Sequence, residues 1–355
     1  MNSDSLSNTS QLVLRNGEWL RSDKMLLLGL PADDLASQLL QKGIAGEIHA
    51  LTRDFSVYRL IRSSWERCGD RQSLTYGPQL PDLGQGYDGI LLFLQKSKPL
   101  TDFWLDMAQS VLAPGGCIWL VGENGEGIKS WRKRLKNSFS VVKNLDNARH
   151  CSLLEGSGPL LKPGRFQLED GYSRFDLEVG QQSLQLFSLP GVFSHGRVDQ
   201  GTQVLLDTFD HKPSGRVLDF GCGAGVISAY LGLESSGSRF TLVDCDALAL
   251  ESARRTMAAN SIDLFETIAS DGLSEVSGQF DLIVSNPPFH QGIKTHYAVT
   301  EQFLEQSADL LVKGGELRIV ANSFLRYDPI IVKTFGYCQT LVTRNGFSVY
   351  QARKA

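Results

Sequence analysis

The 355-residue sequence lacks several features that would place it in a special class of protein. Its six cysteines include no Cys-x-x-Cys pair, so neither a disulfide framework nor a cysteine-based zinc site is indicated, and no metal is expected. Its apolar runs are all too short to span a bilayer. Residues 1–10 are polar and lack the layout of a signal peptide, so we expect a soluble, cytoplasmic protein.

An excess of positive charge is also missing from the chain as a whole. Lys and Arg number 35 against 39 Asp and Glu, a formal net charge of −4, unlike a general nucleic-acid binder. The charge is uneven, because residues 51–150 hold 14 basic and 10 acidic side chains, whereas residues 201–300 hold 6 basic and 12 acidic. If nucleic acid is a partner, the first half is therefore the expected platform.

The densest basic cluster lies around Trp131. Positive charge beside an aromatic ring suits phosphate contact and base stacking, although a solvated helix face is the more ordinary interpretation. The cluster consists of Lys129, Arg132, Lys133, Arg134 and Lys136, and its candidate RNA-contacting residues are Lys129, Arg132, Lys133 and Arg134.

Short apolar runs alternate with longer amphipathic ones in the second half, which is typical of a parallel sheet with crossover helices. The pattern predicts strands at 216–220, 240–243, 280–285 and 316–321, and helices at 224–233, 247–260 and 300–311. An Asn-Gly turn at 345–346 joins strand-like runs at 338–343 and 347–352, which predicts an antiparallel hairpin at the sheet edge.

The first half resembles a diverged duplicate of the second half. Residues 25–29, 87–91 and 112–121 match 217–221, 280–284 and 311–320 in order and approximate spacing. Two tandem α/β domains are the economical interpretation. A stretch rich in Gly, Pro and charge at 156–171 separates them, so the boundary is expected near residue 160, with domains at 1–160 and 161–355.

A glycine cluster, Gly221-Cys222-Gly223-Ala224-Gly225, follows the first of these predicted strands and leads straight into a helix. Such a loop lets the backbone approach a ligand, with helix N–H groups pointing at it. The spacing is not the dinucleotide fingerprint, and the preceding Asp219 suits a cofactor with an ammonium group. The pattern indicates S-adenosylmethionine; a tight structural turn is the alternative.

Two further acidic residues end predicted strands of the same sheet. Asp244 closes the second strand, where its carboxylate can accept both ribose hydroxyls of a nucleoside. Asp271, in Ser270-Asp271-Gly272, lies where the third strand should end and could accept the adenine amine, or could lie in a surface turn.

The sharpest motif is Ser285-Asn286-Pro287-Pro288-Phe289, directly after a predicted buried strand. The prolines fix a rigid turn, so the Asn286 amide oxygen and the Pro287 carbonyl can both accept from one NH2 group. That arrangement suits an exocyclic amine, whose lone pair must be turned towards a methyl donor, and Phe289 would stack on the planar substrate. Lys294, on the same loop, could touch a phosphate.

These motifs resemble the bacterial ribosomal RNA small-subunit methyltransferase C family of guanine-N2 methyltransferases. The resemblance is carried by residues 189–194, 199–201, 217–226, 285–290 and 315–322, and it extends over essentially the whole chain. It implies two tandem class I, Rossmann-like α/β domains with mostly parallel seven-stranded sheets, of which only the second binds S-adenosylmethionine. It further implies methylation of N2 of a flipped-out guanine, guanine 1207, in 16S rRNA within the 30S subunit, by a monomer.

Residues and resemblance together define the candidate site. The candidate contacts of S-adenosylmethionine are Phe193, Asp219, Gly221, Cys222, Gly223, Gly225, Asp244, Cys245, Asp271, Gly272 and Asn286. The candidate catalytic residues are Asn286, Pro287, Pro288 and Phe289. Residues 193–203 resemble the family's stretch that folds over the methionine end of the cofactor, but His195-Gly196-Arg197 departs from its more usual Arg-Asp-Gly.

The first half lacks both motifs. Residues 29–33 and 93–96 replace the glycine loop and the Asn-Pro-Pro-Phe turn, so the resemblance implies a degenerate domain that supports folding and places RNA.

Three alternatives remain open. The sister family that methylates 23S rRNA shares the duplication and the Asn-Pro-Pro-Phe turn. Protein glutamine methylation would use the same acceptors for an amide, although the duplicated RNA-facing domain argues against it. A ribosome-assembly factor with an idle site is the non-enzymatic alternative.

Overall fold

A computed structural model describes residues 6–66, 69–84, 86–161, 164–179, 182–211, 213–233, 235, 237–287 and 293–355, with the backbone alone for 293–299. The chain forms two compact units, Met1–Gly171 and Tyr172–Ala355. Residues beyond 160 stay with the first unit because the Phe166 ring packs edge-on against Phe103, with centroids 5.0 Å apart. None of the described helices is both long and apolar enough to cross a membrane.

The first unit is a seven-stranded sheet with helices. Its strands are β1 (Ser22–Leu28), β2 (Ala45–Thr52), β3 (Gln72–Tyr76), β4 (Tyr87–Phe93), β5 (Leu112–Glu123), β6 (Phe139–Ala148) and β7 (Cys151–Pro159), in the order β3-β2-β1-β4-β5-β7-β6. Its helices are α1 (Asn8–Arg15), α2 (Leu35–Gln41), α3 (Phe55–Glu66), α4 (Lys98–Ser110) and α5 (Ile128–Leu135). Strand β1 is fully buried over 25–28, as a central parallel strand covered on both faces must be.

Helix α5 carries the basic cluster and corrects one expectation of the sequence. Trp131, expected beside those charges as a stacking surface, is only 1% exposed and packs in the core, so its ring cannot stack on a base. The helix is amphipathic, with Ile128, Trp131 and Leu135 buried and the basic side chains outward. The cluster is therefore a charged surface that does not present the Trp131 ring to a ligand.

The second unit repeats the same architecture and adds a hairpin before it. Its strands are β8 (Ser173–Val179), β9 (Gln182–Ser188), β10 (Arg216–Phe220), β11 (Arg239–Asp244), β12 (Phe265–Ala269), β13 (Phe280–Ser285), β14 (Leu311–Asn322), β15 (Gln339–Arg344) and β16 (Phe347–Arg353). Its helices are α6 (Gln200–Leu206), α7 (Val226–Gly232), α8 (Ala247–Ala259), α9 (Ile293–Leu310) and α10 (Asp328–Phe335). The main sheet has the order β12-β11-β10-β13-β14-β16-β15, which is the order of the first unit.

The strand order confirms the predicted α/β class, with two mostly parallel sheets and an antiparallel hairpin at the end. Strands β10 and β13 have the predicted bounds, and β16 pairs antiparallel with β14 and with the edge strand β15. Helix α7 begins two residues later than predicted because Gly225, at φ 76°, is its N-cap. The sequence pattern missed the β8–β9 hairpin, which is joined to helix α8 because the N–H groups of Phe187 and Leu189 donate to the hydroxyls of Thr256 and Ser252.

The burial of Trp131 predicts its effect on stability. Replacing Trp131 by Ala removes a large core side chain and should lower the free energy of unfolding by about 3–5 kcal/mol. The control is Trp19→Ala, because Trp19 is 63% exposed and its loss should change stability by less than about 0.5 kcal/mol. Urea unfolding followed by circular dichroism measures both, and equal stabilities of the two variants would contradict the core position of Trp131.

Candidate functional site

The glycine loop joins β10 to α7 at the carboxyl edge of the second sheet. Gly221, Gly223 and Gly225 all have positive φ, at 66°, 52° and 76°. A Cβ at Gly223 would meet no atom within 4 Å, so the loop borders open space there. A Cβ at Gly225 would lie 3.1 Å from Ala253, so this glycine lets α7 pack closely on α8.

Asp219 lies beneath this loop and is completely buried. One carboxylate oxygen accepts from the backbone N–H of Ser228 at 3.2 Å and from its hydroxyl at 2.7 Å. The other oxygen, Oδ1, has no hydrogen-bond partner among the described residues. Burial raises the pKa of Asp219 to about 7, because a charged carboxylate loses its hydration there.

Asp244 ends strand β11 next to the glycine loop. Its Oδ2 accepts from the Gly223 N–H at 3.0 Å and its Oδ1 from the Asp246 N–H at 3.0 Å. Burial, and then the charge of Asp246, raise the pKa of Asp244 to about 6. The bond to Gly223 ties the end of β11 to the loop after β10.

The neighbouring candidate residues divide between the core and the surface. Cys222 is buried within the apolar core of the unit, and burial raises the pKa of its thiol well above the ordinary value. Cys245 is exposed beside Asp244. Asp271 is half-buried and Gly272 exposed, just after β12, where the Ser270 N–H donates to the Asp244 carbonyl at 3.1 Å.

Asn286 follows β13, the strand on the other side of β10. Its Nδ2 donates to Asp199 Oδ2 at 3.0 Å and to Thr202 Oγ1 at 2.9 Å, so both amide protons have partners. The Oδ1 atom accepts from no described residue, so it is the acceptor that the amide still has to offer. Asp199 also caps helix α6 by accepting from the Thr202 N–H at 3.1 Å.

A cavity of about 170 Å³ opens beside Asn286 and Pro287. Its wall is formed by the strand ends and loops around them: Phe193, Asp199, Val320, Ala321, Asn322, Leu325, Tyr327 and Phe347. Gly201 lets the Phe347 ring approach α6, since a Cβ there would lie 2.9 Å from the ring. Phe193, a candidate cofactor contact, thus also borders the cavity of Asn286.

Part of the predicted motif lies outside the described residues. This holds for Pro288 and Phe289 and for the side chain of Lys294. Sequence reasoning did not single out Thr202, Tyr327 or Phe347, which complete the surroundings of Asn286. For Thr202 a signal existed, because an Asp at 199 before a helical pattern is typical of an N-cap.

His195, where the sequence departs from the family pattern, faces back onto the hairpin. Its Nδ1 lies 2.8 Å from the Ser188 hydroxyl, which also accepts from the Gly196 N–H at 3.2 Å. Burial lowers the pKa of His195, so the neutral ring is favoured. His195 therefore anchors residues 189–199 to β9.

In the first unit the corresponding positions are filled by the chain itself. A side chain at Gly29 would collide with Gln95 and with the Trp104 ring, which is buried. Gln95 Nε2 donates to the Phe93 carbonyl at 2.8 Å, closing the end of β4. The loop after β1 therefore borders packed side chains rather than open space.

The basic residues of α5 remain on its outer side. Arg134 forms an ion pair with Asp102 and lies over the Trp131 ring, 5.2 Å from its centroid. The other four are exposed and take part in none of the ion pairs found among the described residues: Lys129, Arg132, Lys133 and Lys136. Their spacing of three, four and seven residues places them in one row, which we call the basic stripe.

Comparisons with family models cover nearly all of the chain. A model described as "Methyltransferase small domain" matches residues 183–351. A second, described as "Methyltransferase small domain N-terminal", matches residues 10–175. The two matches correspond to the second and the first unit of the structure.

A solved structure has the same fold over both units. The T. thermophilus 16S rRNA N2 guanine-1207 methyltransferase, in complex with AdoMet and guanosine, matches with a TM-score of 0.81. The match covers 98% of this chain and 92% of that one, at 23% sequence identity.

Relatives of known family are similar over their full length. The ribosomal RNA small subunit methyltransferase C of Stutzerimonas stutzeri (strain A1501) is 42% identical over 348 residues, 97% of this chain and 98% of that protein. Its counterpart in Pseudomonas aeruginosa (strain UCBPP-PA14) is 41% identical over 350 residues, 98% of this chain and 99% of that protein. With this identity along the whole chain, the protein belongs to the ribosomal RNA small subunit methyltransferase C family.

Proposed function

We propose that this protein transfers a methyl group from S-adenosylmethionine to the exocyclic N2 amine of a guanine in 16S rRNA. The observation that carries the proposal is the fixed orientation of Asn286, whose amide protons are both bound and whose oxygen is the remaining acceptor. Membership of the family supports the same substrate, and the relative of known structure acts on guanine 1207 of 16S rRNA.

The second unit fits a cofactor with an amino group and a ribose. The buried Asp219 Oδ1 lacks a donor among the described residues, and open space lies over Gly223. Gly221, Gly223 and Gly225 would hold the cofactor along the loop, and the carboxylates of Asp244 and Asp271 would accept its hydroxyl and amine groups. Bound there, S-adenosylmethionine would supply an electrophilic methyl group on its sulfonium.

Asn286 and Pro287 would orient the amine. Guanine N2 is a poor nucleophile because its lone pair is delocalised into the ring. Two acceptors, Asn286 Oδ1 and the Pro287 carbonyl, would bind its two protons and turn the lone pair out of the base plane. Since Asp199 and Thr202 already fix Asn286, this orientation is formed before the base arrives.

The first unit would bind RNA without binding a cofactor. Gln95 and Trp104 occupy the space beside Gly29, whereas the basic stripe faces solvent and suits the phosphates of a structured RNA. We further propose that a monomer acts in the cytoplasm on 16S rRNA assembled in the 30S subunit, with the guanine flipped into the Asn286 cavity.

The deciding experiment measures transfer of labelled methyl from S-adenosylmethionine to four substrates. They are protein-free 16S rRNA, 30S subunits, 23S rRNA and a release-factor protein. Label on guanine N2 of 16S rRNA or 30S subunits supports the proposal and identifies the form of the substrate. Label on 23S rRNA or on the protein would contradict 16S rRNA as the substrate. Absence of label on all four would favour the alternative that the protein is a ribosome-assembly factor without activity.

Asn286→Ala should lower kcat for methyl transfer by a factor on the order of 10²–10³, because one of the two acceptors that orient the amine is lost. Thr202→Val is a graded companion, since it removes one of the two bonds that hold the Asn286 amide and should cause a smaller loss. Single-turnover rates with 16S rRNA measure both. A Thr202→Val loss as large as that of Asn286→Ala would contradict this division of roles.

Asp219→Asn should change how stability depends on pH. The pKa of Asp219 is raised from 3.8 to about 7 in the folded chain, so its ionisation opposes folding above neutral pH. The cost is full above about pH 7 and falls away as pH drops towards the ordinary pKa of 3.8, so the stability of the wild type relative to Asp219→Asn should rise between about pH 7 and about pH 4. Urea unfolding at several pH values measures the difference in stability between the two proteins. Asp244 is present in both, so its own contribution to the pH dependence largely cancels in that difference. A difference independent of pH would contradict the raised pKa.

Replacing the basic stripe by glutamine at all four positions should weaken RNA binding in a salt-dependent way. The slope of log affinity against log salt is negative, and each lost phosphate contact reduces its magnitude by about 0.7–0.9. For four residues the expected reduction is about 3. Arg134 is left intact because it pairs with Asp102. The affinity for S-adenosylmethionine, measured on the same variant, should not change. An unchanged salt slope would show that the basic stripe does not contact RNA phosphates.

A further inference from the structure

The loop after β14 borders the Asn286 cavity but turns one large side chain away from it. Asn322, Leu325 and Tyr327 line the cavity. Between them Phe324 is 76% exposed, an unusual position for a phenylalanine, because burial would contribute favourable free energy. An exposed aromatic ring at the rim of a binding cavity is a candidate contact for what enters that cavity.

The backbone that carries Phe324 is held firmly. The Ser323 N–H donates to the Gly346 carbonyl at 2.9 Å, and the Tyr327 carbonyl accepts from the N–H groups of Ile330 and Ile331 at 3.1 and 3.0 Å. The Tyr327 side chain is buried beside Tyr350. Phe324 is therefore presented on a fixed turn at the rim.

Arg326, two residues later, combines strain with an available charge. Its φ is +30°, a left-handed conformation that glycine adopts more easily than arginine. The side chain is exposed, and none of the ion pairs between described residues involves it. A strained residue that keeps a free cation beside a binding cavity indicates a role for the side chain.

We propose that Phe324 and Arg326 hold the nucleotide next to the target guanine, a step that rests on the proposed function of the Asn286 cavity. The Phe324 ring stacks on the flanking base, and the Arg326 guanidinium contacts a phosphate of the same strand. Flipping a guanine out of its stack uncovers a face of its neighbour, and an aromatic ring can cover that face whatever the base. An apolar ring beside a cation suits a base and its neighbouring phosphate, so RNA is a better match for this pair of side chains than a protein surface is.

The test compares Phe324→Ala, Phe324→Leu and Phe324→Trp for binding to an RNA fragment that contains the target guanine. Stacking predicts that Ala and Leu raise the Kd about tenfold and that Trp restores it. Leu264→Ala is the matched control, because Leu264 is 46% exposed and precedes β12, at the edge of the sheet opposite to the cavity. Leu binding as tightly as the wild type, or Ala within twofold of it, would overturn stacking.

Catalysis provides an independent readout. Phe324→Ala should raise the KM for RNA about tenfold and leave kcat and the affinity for S-adenosylmethionine unchanged. A lower kcat with unchanged KM would overturn a role in binding the flanking nucleotide. If the wild type methylates no RNA, the proposed function fails, whereas the binding measurement still decides whether Phe324 contacts RNA.

The variant Arg326→Gly distinguishes an effect of the Arg326 charge on RNA binding from an effect on the stability of the fold. Glycine relieves the positive φ, so this variant should be at least as stable as the wild type in urea. It should nevertheless bind the RNA fragment more weakly, with a salt slope lower by about 0.7, the loss of one contact to a single strand. Unchanged affinity and slope would show that Arg326 contacts no phosphate and would overturn its part of the proposal.

Discussion

The site depends on one constraint, the parallel pairing of β10 with β11 on one side and β13 on the other. Parallel neighbours end at the same edge of a sheet, and the chain reverses its order of strands at β10, so a crevice opens between the loops that follow. The Ser285 hydroxyl donates to the Phe220 carbonyl at 2.6 Å and ties the ends of β13 and β10 together. The glycine loop, Asp244 and Asn286 are thereby held at one edge by the pairing of the strands and by side-chain bonds at the strand ends.

The carboxylate of Asp199 helps to hold the Asn286 amide in one orientation. Asp199 caps α6 and at the same time accepts from the Asn286 amide, so the start of a helix and the end of a strand share one side chain. An amide with both protons bound has only its oxygen to offer, which converts a versatile side chain into a directed acceptor. The acceptor that remains on Asn286 is therefore set by two residues outside the Asn-Pro turn, Asp199 and Thr202.

The two units share one order of strands and differ in the surroundings of the loops at the ends of those strands. Both sheets have the same order of strands, because the order is maintained by apolar strands whose side chains form the cores. The loops are free of that requirement, and in the first unit Gln95 and Trp104 occupy the space beside Gly29. The loops can therefore differ between the two units while the order of strands stays the same.

The class of fold, the duplication, and the places of the glycine loop, Asp244 and Asn286 at the ends of strands could be predicted from the sequence alone, because each is a local pattern of spacing or composition. It could not show that Trp131 lies in the core, since an aromatic among charges has the same local pattern on either side of a helix. Nor could it show that Asp199 and Thr202 bind Asn286, or that Phe324 faces solvent at the rim of the cavity. Those facts depend on contacts between residues distant in the chain, and only tertiary packing decides which side chains meet and which face water.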